Sequence, residues 1–262
     1  MLEILIFIVF GAATGLIAGL LGIGGGVIAV PVLYFTLWGS GFPHDELMHV
    51  AVATSLATTV ITAFGASWSH HQKKTVRFDA LKSIAVGLLF GCTAGVLLTY
   101  CLDNALLRFI FGASILLLSV YFFFPQLPSP NLDSRPNWSL SIWSVVVGAL
   151  STLLGVGGGI FFVPILLGYQ LPMKNAIATS SASTLLSAFL GTGMFLLFAS
   201  TQSPLPHTFG YIYIPGFLAM GASSLSMTPL GTKLAHTLPV GWIKRIFACA
   251  LAITGIAMLV GS

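Results

Sequence analysis

The chain has 262 residues, of which only ten are Lys or Arg and six are Asp or Glu. Soluble domains carry about a quarter charged residues, so 6% charge with a mean hydropathy of +1.01 excludes an ordinary water-soluble globule. The net charge of +4 does not point to nucleic acid, because the basic residues are scattered at the ends of apolar segments and are better read as topology signals.

In chain order, the first apolar stretch begins at Met1-Leu2-Glu3 with no basic leader and runs far beyond a signal peptide's core, so it is expected to stay on the protein. Leu2 to Trp38 is too long for one crossing of about 20 residues, and Gly24-Gly25-Gly26 with Pro31 interrupts it, making Pro31 a helix-break candidate. Full spans are expected over 46–69, 79–101 and 104–124. A polar stretch with Pro125, Pro128, Pro130, Asp133, Arg135 and Pro136 then divides the chain into a first transmembrane repeat (1–124), a linker (125–139) and a second repeat (140–262). In the second repeat, Leu140–Leu154 and Ile160–Gln170 flank Gly157-Gly158-Gly159, and neither piece is comfortably long enough to cross; Pro164 is the matching helix-break candidate. Spans over 173–199, 208–233 and 240–260 complete the chain. Cys92, Cys101 and Cys249 have no metal-ligand spacing and read as packing residues.

The halves repeat each other. Gly15–Pro31 aligns without gaps on Gly148–Pro164, so that Gly22 matches Gly155 and Pro31 matches Pro164. A second block, Ala53–Phe64, aligns on Ala178–Phe189 after a shorter intervening loop. Internal repeats in an apolar chain are the signature of secondary transporter architecture. Charge gives the relative orientation. Lys73, Lys74, Arg77 and Lys82 follow the first full span of the first half, whereas the matching loop Ser200–His207 has no Lys or Arg and the positive charge moves to Lys233, Lys244 and Arg245. By the positive-inside rule the halves then lie in opposite orientations, which requires an odd number of crossings in each. The expected fold is an all-α polytopic membrane protein of two inverted homologous halves. Each is a Gly-broken re-entrant hairpin plus three transmembrane helices, about eight hydrophobic segments in all, with both termini outside.

Glycine-rich breaks expose backbone N–H groups, and a helix starting there adds the positive end of its dipole. Gly24, Gly25 and Gly26 with Gly157, Gly158 and Gly159 are therefore candidate binders of a small anionic substrate; the alternative is that they only let helices approach in lipid. Hydroxyls at Thr54 and Ser55, kept as Thr179 and Ser180 in the repeat, are the preferred side-chain donors, although Ser and Thr also bond back to their own helix. Thr58 shares the face of Thr54. Glu3, Asp45, Glu46, Asp79 and Asp103 fall at segment ends, which leaves carboxylate-based ion coupling without support; His44, His49, His70 and His71 read as loop or interface residues. Trp68, Trp138, Trp143 and Trp242 fit interfacial belts. No protease or metallohydrolase motif is present in the sequence, so an enzyme is not expected; no cofactor and no metal are called for.

Gly22-Ile-Gly-Gly-Gly-Val-Ile-Ala-Val-Pro31, its echo Gly155-Val-Gly-Gly-Gly-Ile-Phe-Phe-Val-Pro164 and the paired Ala-Thr-Ser blocks resemble the TauE/SafE family of sulfite exporter-like permeases. The resemblance extends through the closing Leu234-Ala-His-Thr-Leu-Pro239 and Lys244-Arg-Ile-Phe247 segments and covers nearly the whole chain. It implies a multi-pass permease of a bacterial-type inner membrane that moves sulfite, sulfonates or related sulfur-containing anions. The partners expected are that anion and the lipid bilayer, without nucleic acid and with homo-oligomer formation left open. The alternatives are a metal or organic-cation permease and a non-transporting membrane subunit that anchors a partner.

Overall fold

The computed structural model describes residues 2–22, 24–72, 75–123, 138–198, 206–234 and 240–260, with side chains in the last stretch from 247 onward. Lys73, Lys74, Trp242, Lys244, Arg245, linker residues 125–137 and the terminal residues Met1 and Ser262 lie outside what it describes at side-chain level.

A chain this apolar can satisfy its backbone in lipid only within helices or a closed barrel, and here it takes helices. They are α1 (Leu2–Leu21), α2 (Gly26–Gly39), α3 (Leu47–Gln72), α4 (Phe78–Cys101), α5 (Asn104–Phe123), α6 (Trp138–Leu153), α7 (Gly159–Gly168), α8 (Met173–Phe198), α9 (Ile214–Leu234) and α10 (Val240–Val260). A two-stranded hairpin, β1 (Thr208–Phe209) and β2 (Ile212–Tyr213), pairs Phe209 with Ile212 and precedes α9. The span expected over 208–233 therefore begins as a helix only at Ile214. Aromatic and β-branched residues around Gly210, whose φ is +58°, favour the tight turn there. By length and composition five described helices can cross a membrane: α1, α3 (extended to His44), α4, α5 and α8. The first arm of the first hairpin is thus itself of spanning length, whereas α2, α6 and α7 are shorter.

The packing repeats when the halves are exchanged. α1 lies along α9 and α6 along α4; α3 pairs with α8 and α5 with α10; α2 and α7 rest on α3 and α8 respectively. The halves are interleaved, since the first arm of each packs mainly on a helix of the other. Glycine stripes make this close: β-carbons placed on Gly11, Gly15 and Gly19 would lie 2.2, 2.1 and 2.3 Å from atoms of α9, and those on Gly87, Gly91 and Gly95 would lie 2.1, 2.3 and 2.5 Å from carbonyls of α6. Without a water-driven hydrophobic force between helices in lipid, such contact is what holds them together.

The hydrogen bonds orient the elements. Ser40, which caps the end of α2, donates to Glu3 in the first turn of α1 (2.8 Å), and Ser139 at the start of α6 bonds the hydroxyl of Tyr169, which caps the end of α7. Each hairpin thus begins and ends at the same end of the bundle. His49, in the first turn of α3, has Nε2 3.0 Å from the carbonyl of Thr99 near the end of α4, while Thr179 of α8 accepts the N–H of Arg77 just before α4 starts (3.0 Å). α3 and α8 therefore start at opposite ends of α4. Met48 N–H donates to Asn104 Oδ1 (2.7 Å), which brings the start of α5 to the start of α3. His49 and His70 are buried inside α3 rather than lying in loops, which corrects the reading of these histidines from their position in the sequence.

Candidate functional site

In each half the break between the two arms of the hairpin falls at the glycines. In the first half Gly22, Gly24 and Gly25 have φ of +70°, +77° and +76°; in the second, Gly155, Gly157 and Gly158 have +69°, +75° and +83°. An L side chain pays roughly 1–2 kcal/mol in that region, so three glycines at matching positions specify the same turn twice. Gly25 and Gly158 are the left-handed residues that precede α2 and α7, which start at Gly26 and Gly159. Pro31 and Pro164 do not break the chain: both stand inside their helices, which continue for several residues beyond them.

The two turns meet in the centre of the protein. A β-carbon on Gly26 would lie 2.4 Å from the Gly155 carbonyl and 2.7 Å from Val156 Cα. All six triplet glycines are buried. On the core side stand Thr59 of α3 and Thr184 of α8, matching residues of the repeat. A β-carbon on Gly24 would meet the methyls of Thr184 (2.5 Å) and Thr59 (3.1 Å), and one on Gly157 those of Thr59 (2.8 Å) and Thr184 (3.0 Å).

The polar groups divide by sign. Ser55 donates to the carbonyl of Gly155 (2.8 Å) and lies 3.4 Å from that of Gly26; Ser180 donates to the carbonyl of Gly159 (2.8 Å). Carbonyl oxygens at the tips are thus already engaged. Among the described residues nothing accepts from the N–H groups of Gly24, Gly25, Gly26, Gly157, Gly158 or Gly159; the first bonds of the turns run from Ile28 to Gly25 and from Phe161 to Gly158. What the tips leave available is donors, which suits an anion.

Thr54 and Thr179 are brought to a different task. Thr54 Oγ1 accepts the N–H of Tyr213 (2.9 Å), one residue before α9, and Thr179 Oγ1 accepts that of Arg77, one residue before α4. These twin threonines pin the helix starts of the opposite half. Sequence reading kept them for their recurrence but could not tell a pin from a ligand. Thr59 and Thr184 stand among the hydroxyls of the same repeated Ala-Thr-Ser blocks, but the sequence alone gives no reason to prefer them over Thr54, Ser55, Thr179 and Ser180. At the end of the bundle where α1 starts, burial first and then Glu3 push the Tyr213 phenol up, and burial followed by Glu46 does the same for Tyr211. An apolar groove of about 620 Å³ between α3, α4 and α8 is lined by Val60, Phe64, Trp68, Phe78 and Phe189 among others, and by none of the tip glycines. Among the described residues no group of three or more His, Cys, Asp or Glu converges on a metal-sized site.

The ten described helices, largely apolar and packed alike in both halves around paired buried breaks, define a multi-pass membrane protein. The chain belongs to the sulfite exporter TauE/SafE family, whose sequence profile matches residues 7–258. It is 31% identical over 97% of both chains to a probable membrane transporter protein of Haemophilus influenzae. It is 28% identical to another from Methanocaldococcus jannaschii, over 97% of this chain and 94% of that one. Similarity to the probable membrane transporter protein MamO of Paramagnetospirillum magneticum is 23% identity over 98% of this chain and 44% of the longer relative. No solved structure matches.

Proposed function

We propose that the protein is an exporter of a small sulfur-containing oxyanion, such as sulfite or an organosulfonate, across a bacterial-type inner membrane. It works by alternating access between two inverted repeats, and the anion binds on the amides of Gly24–Gly26 and Gly157–Gly159. The observation that carries this reading is the division of polar groups at the tips: serine hydroxyls donate to the carbonyls of Gly155 and Gly159, while the tip amides have no acceptor among the described residues. A cation would need the opposite arrangement. Inversion is supported by the hairpins opening toward opposite ends of α4, which agrees with the reversed Lys/Arg bias. Thr54 and Thr179 hold the frame, and Ser55 and Ser180 shape the site by engaging its acceptors. In the packed arrangement the threonine methyls and tip glycines leave no gap for a solute, so the repeats must rock apart for the anion to enter. An inside-negative potential favours anion exit by about 2.3 kcal/mol per charge per 100 mV, so efflux needs no obligatory coupling ion.

The test is a flux screen in proteoliposomes across sulfite, sulfate, thiosulfate, sulfonates and organic acids under an imposed potential. Export of a sulfur oxyanion that reverses with the sign of the potential is the expected result. Flux of cations alone, or of nothing, would overturn the reading.

A further inference from the structure

The twin threonines on the axis are not equivalent. Several helical hydroxyls on α3 and α8 spend their proton on the carbonyl one turn back, Thr58 on Thr54, Thr62 on Thr58, Ser183 on Thr179 and Thr184 on Ser180 at 2.9–3.0 Å, and Ser55 and Ser180 spend theirs on tip carbonyls. Thr59 does not. Its Oγ1 is buried with no hydrogen-bond partner, its residue is 1% exposed, and its methyl sits between Gly24 and Gly157. A helical threonine can satisfy itself locally, and a buried donor left unmade costs stability. Thr14, Thr152 and Thr192 are also buried without a partner among the described residues. Of these four only Thr59 has its methyl between the two tips, and rotation about χ1 puts its unspent Oγ1 in that methyl's place, which calls for a ligand.

We infer that Thr59 is the side-chain donor to the transported anion, with Thr184 as its spacer. This rests on the oxyanion reading above and deepens it. Thr59 Oγ–H donates to an anion oxygen while the tip amides take the others. Thr184, its proton committed to Ser180, contributes bulk that sets the width of the site. The ligand class is a small anion with at least two oxygens able to accept at once, compact enough to stand between two threonine methyls. Sulfite meets both conditions.

The experiment measures sulfite flux by the full chain in proteoliposomes, together with thermal unfolding, for the wild type and for Thr59→Val, Thr59→Ser, Thr184→Val and Gly158→Leu. Valine keeps the shape of threonine and removes the donor. A lost hydrogen bond to a charged group predicts a rise in KM of about ten- to a hundredfold for Thr59→Val. Its melting temperature should stay unchanged or rise, since a buried unpaired hydroxyl has been removed. Thr59→Ser restores the wild-type KM, and Thr184→Val, which keeps the spacer's shape and removes no donor to the anion, raises KM several-fold less than Thr59→Val does. A Thr59→Val protein with wild-type KM, while Gly158→Leu abolishes flux, would overturn the threonine assignment and leave the tips standing. A wild-type protein that moves no anion would overturn both.

Discussion

The two glycine turns share backbone angles to within about 10° yet are backed differently. A β-carbon on Gly25 would sit 2.2 Å from Thr14 Cγ2 and 3.0 Å from the Thr14 carbonyl. One on Gly158 would find Phe162 and Ser151 no nearer than 3.3 Å. Behind the second turn Ser151 is held by Gly148 and Ser187, whereas Thr14 Oγ1 behind the first has no partner. The shape of the break is preserved in both halves while its surroundings are not. The turn is thus held constant while the packing around it differs between the halves.

That contrast can be broken by substitution. Gly25→Ala adds overpacking to left-handed strain and is expected to cost about 2–5 kcal/mol, against about 1–2 kcal/mol for Gly158→Ala, where Phe162 and Ser151 need yield only a few tenths of an ångström beside the same strain. Unfolding in detergent measures both. Adding Thr14→Ala to Gly25→Ala should recover part of the loss, because the nearest clash is with the Thr14 methyl. Equal losses at Gly25 and Gly158 would mean that strain dominates and the backing is irrelevant.

The threonine pins test the two-fold relation from the other side. Thr54→Val and Thr179→Val each leave a backbone N–H, of Tyr213 or Arg77, without its acceptor, and each should cost about 1–3 kcal/mol. The two losses should be similar, with the KM for anion in the surviving protein little changed. A selective loss of anion affinity without loss of stability would return these residues to the binding shell. Ser55→Ala and Ser180→Ala give the smallest expected effect: freeing a tip carbonyl beside the anion should weaken binding by roughly 1 kcal/mol, read as a KM several-fold higher.

Much of this arrangement is legible in the sequence, for physical reasons that vary by element. The breaks are legible because glycine is almost the only residue that tolerates a left-handed turn, and a repeat writes it twice. The central helix α3 is legible as a span, and the doubled Ala-Thr-Ser block marks it as special. The division of labour among its hydroxyls is not, because whether Thr54 faces Tyr213 and Thr59 faces Gly157 depends on contacts between the repeats. Pro31 and Pro164 misled, since a proline in the second turn of a helix removes one bond without ending the helix. The hairpin before α9 is hidden by hydropathy, which scores Phe209 to Tyr213 as apolar whatever their backbone does. The four-residue glycine stripes of α1 and α4 are present in the sequence, but what they pack against comes only from the fold. The resemblance carried by the paired motifs reaches the family and the transporter class, as the match over residues 7–258 bears out.

The most direct measurement of the central claim is sulfite flux through Gly158→Leu in proteoliposomes, normalised to inserted protein. A β-carbon on Gly158 meets nothing nearer than 3.3 Å, against 2.2 Å at Gly25, so of the two turn glycines it is the one where added bulk is better borne, and that bulk covers the amides of the second tip. The account predicts a protein that inserts and unfolds cooperatively but carries no sulfite. Wild-type flux through that folded variant would contradict it.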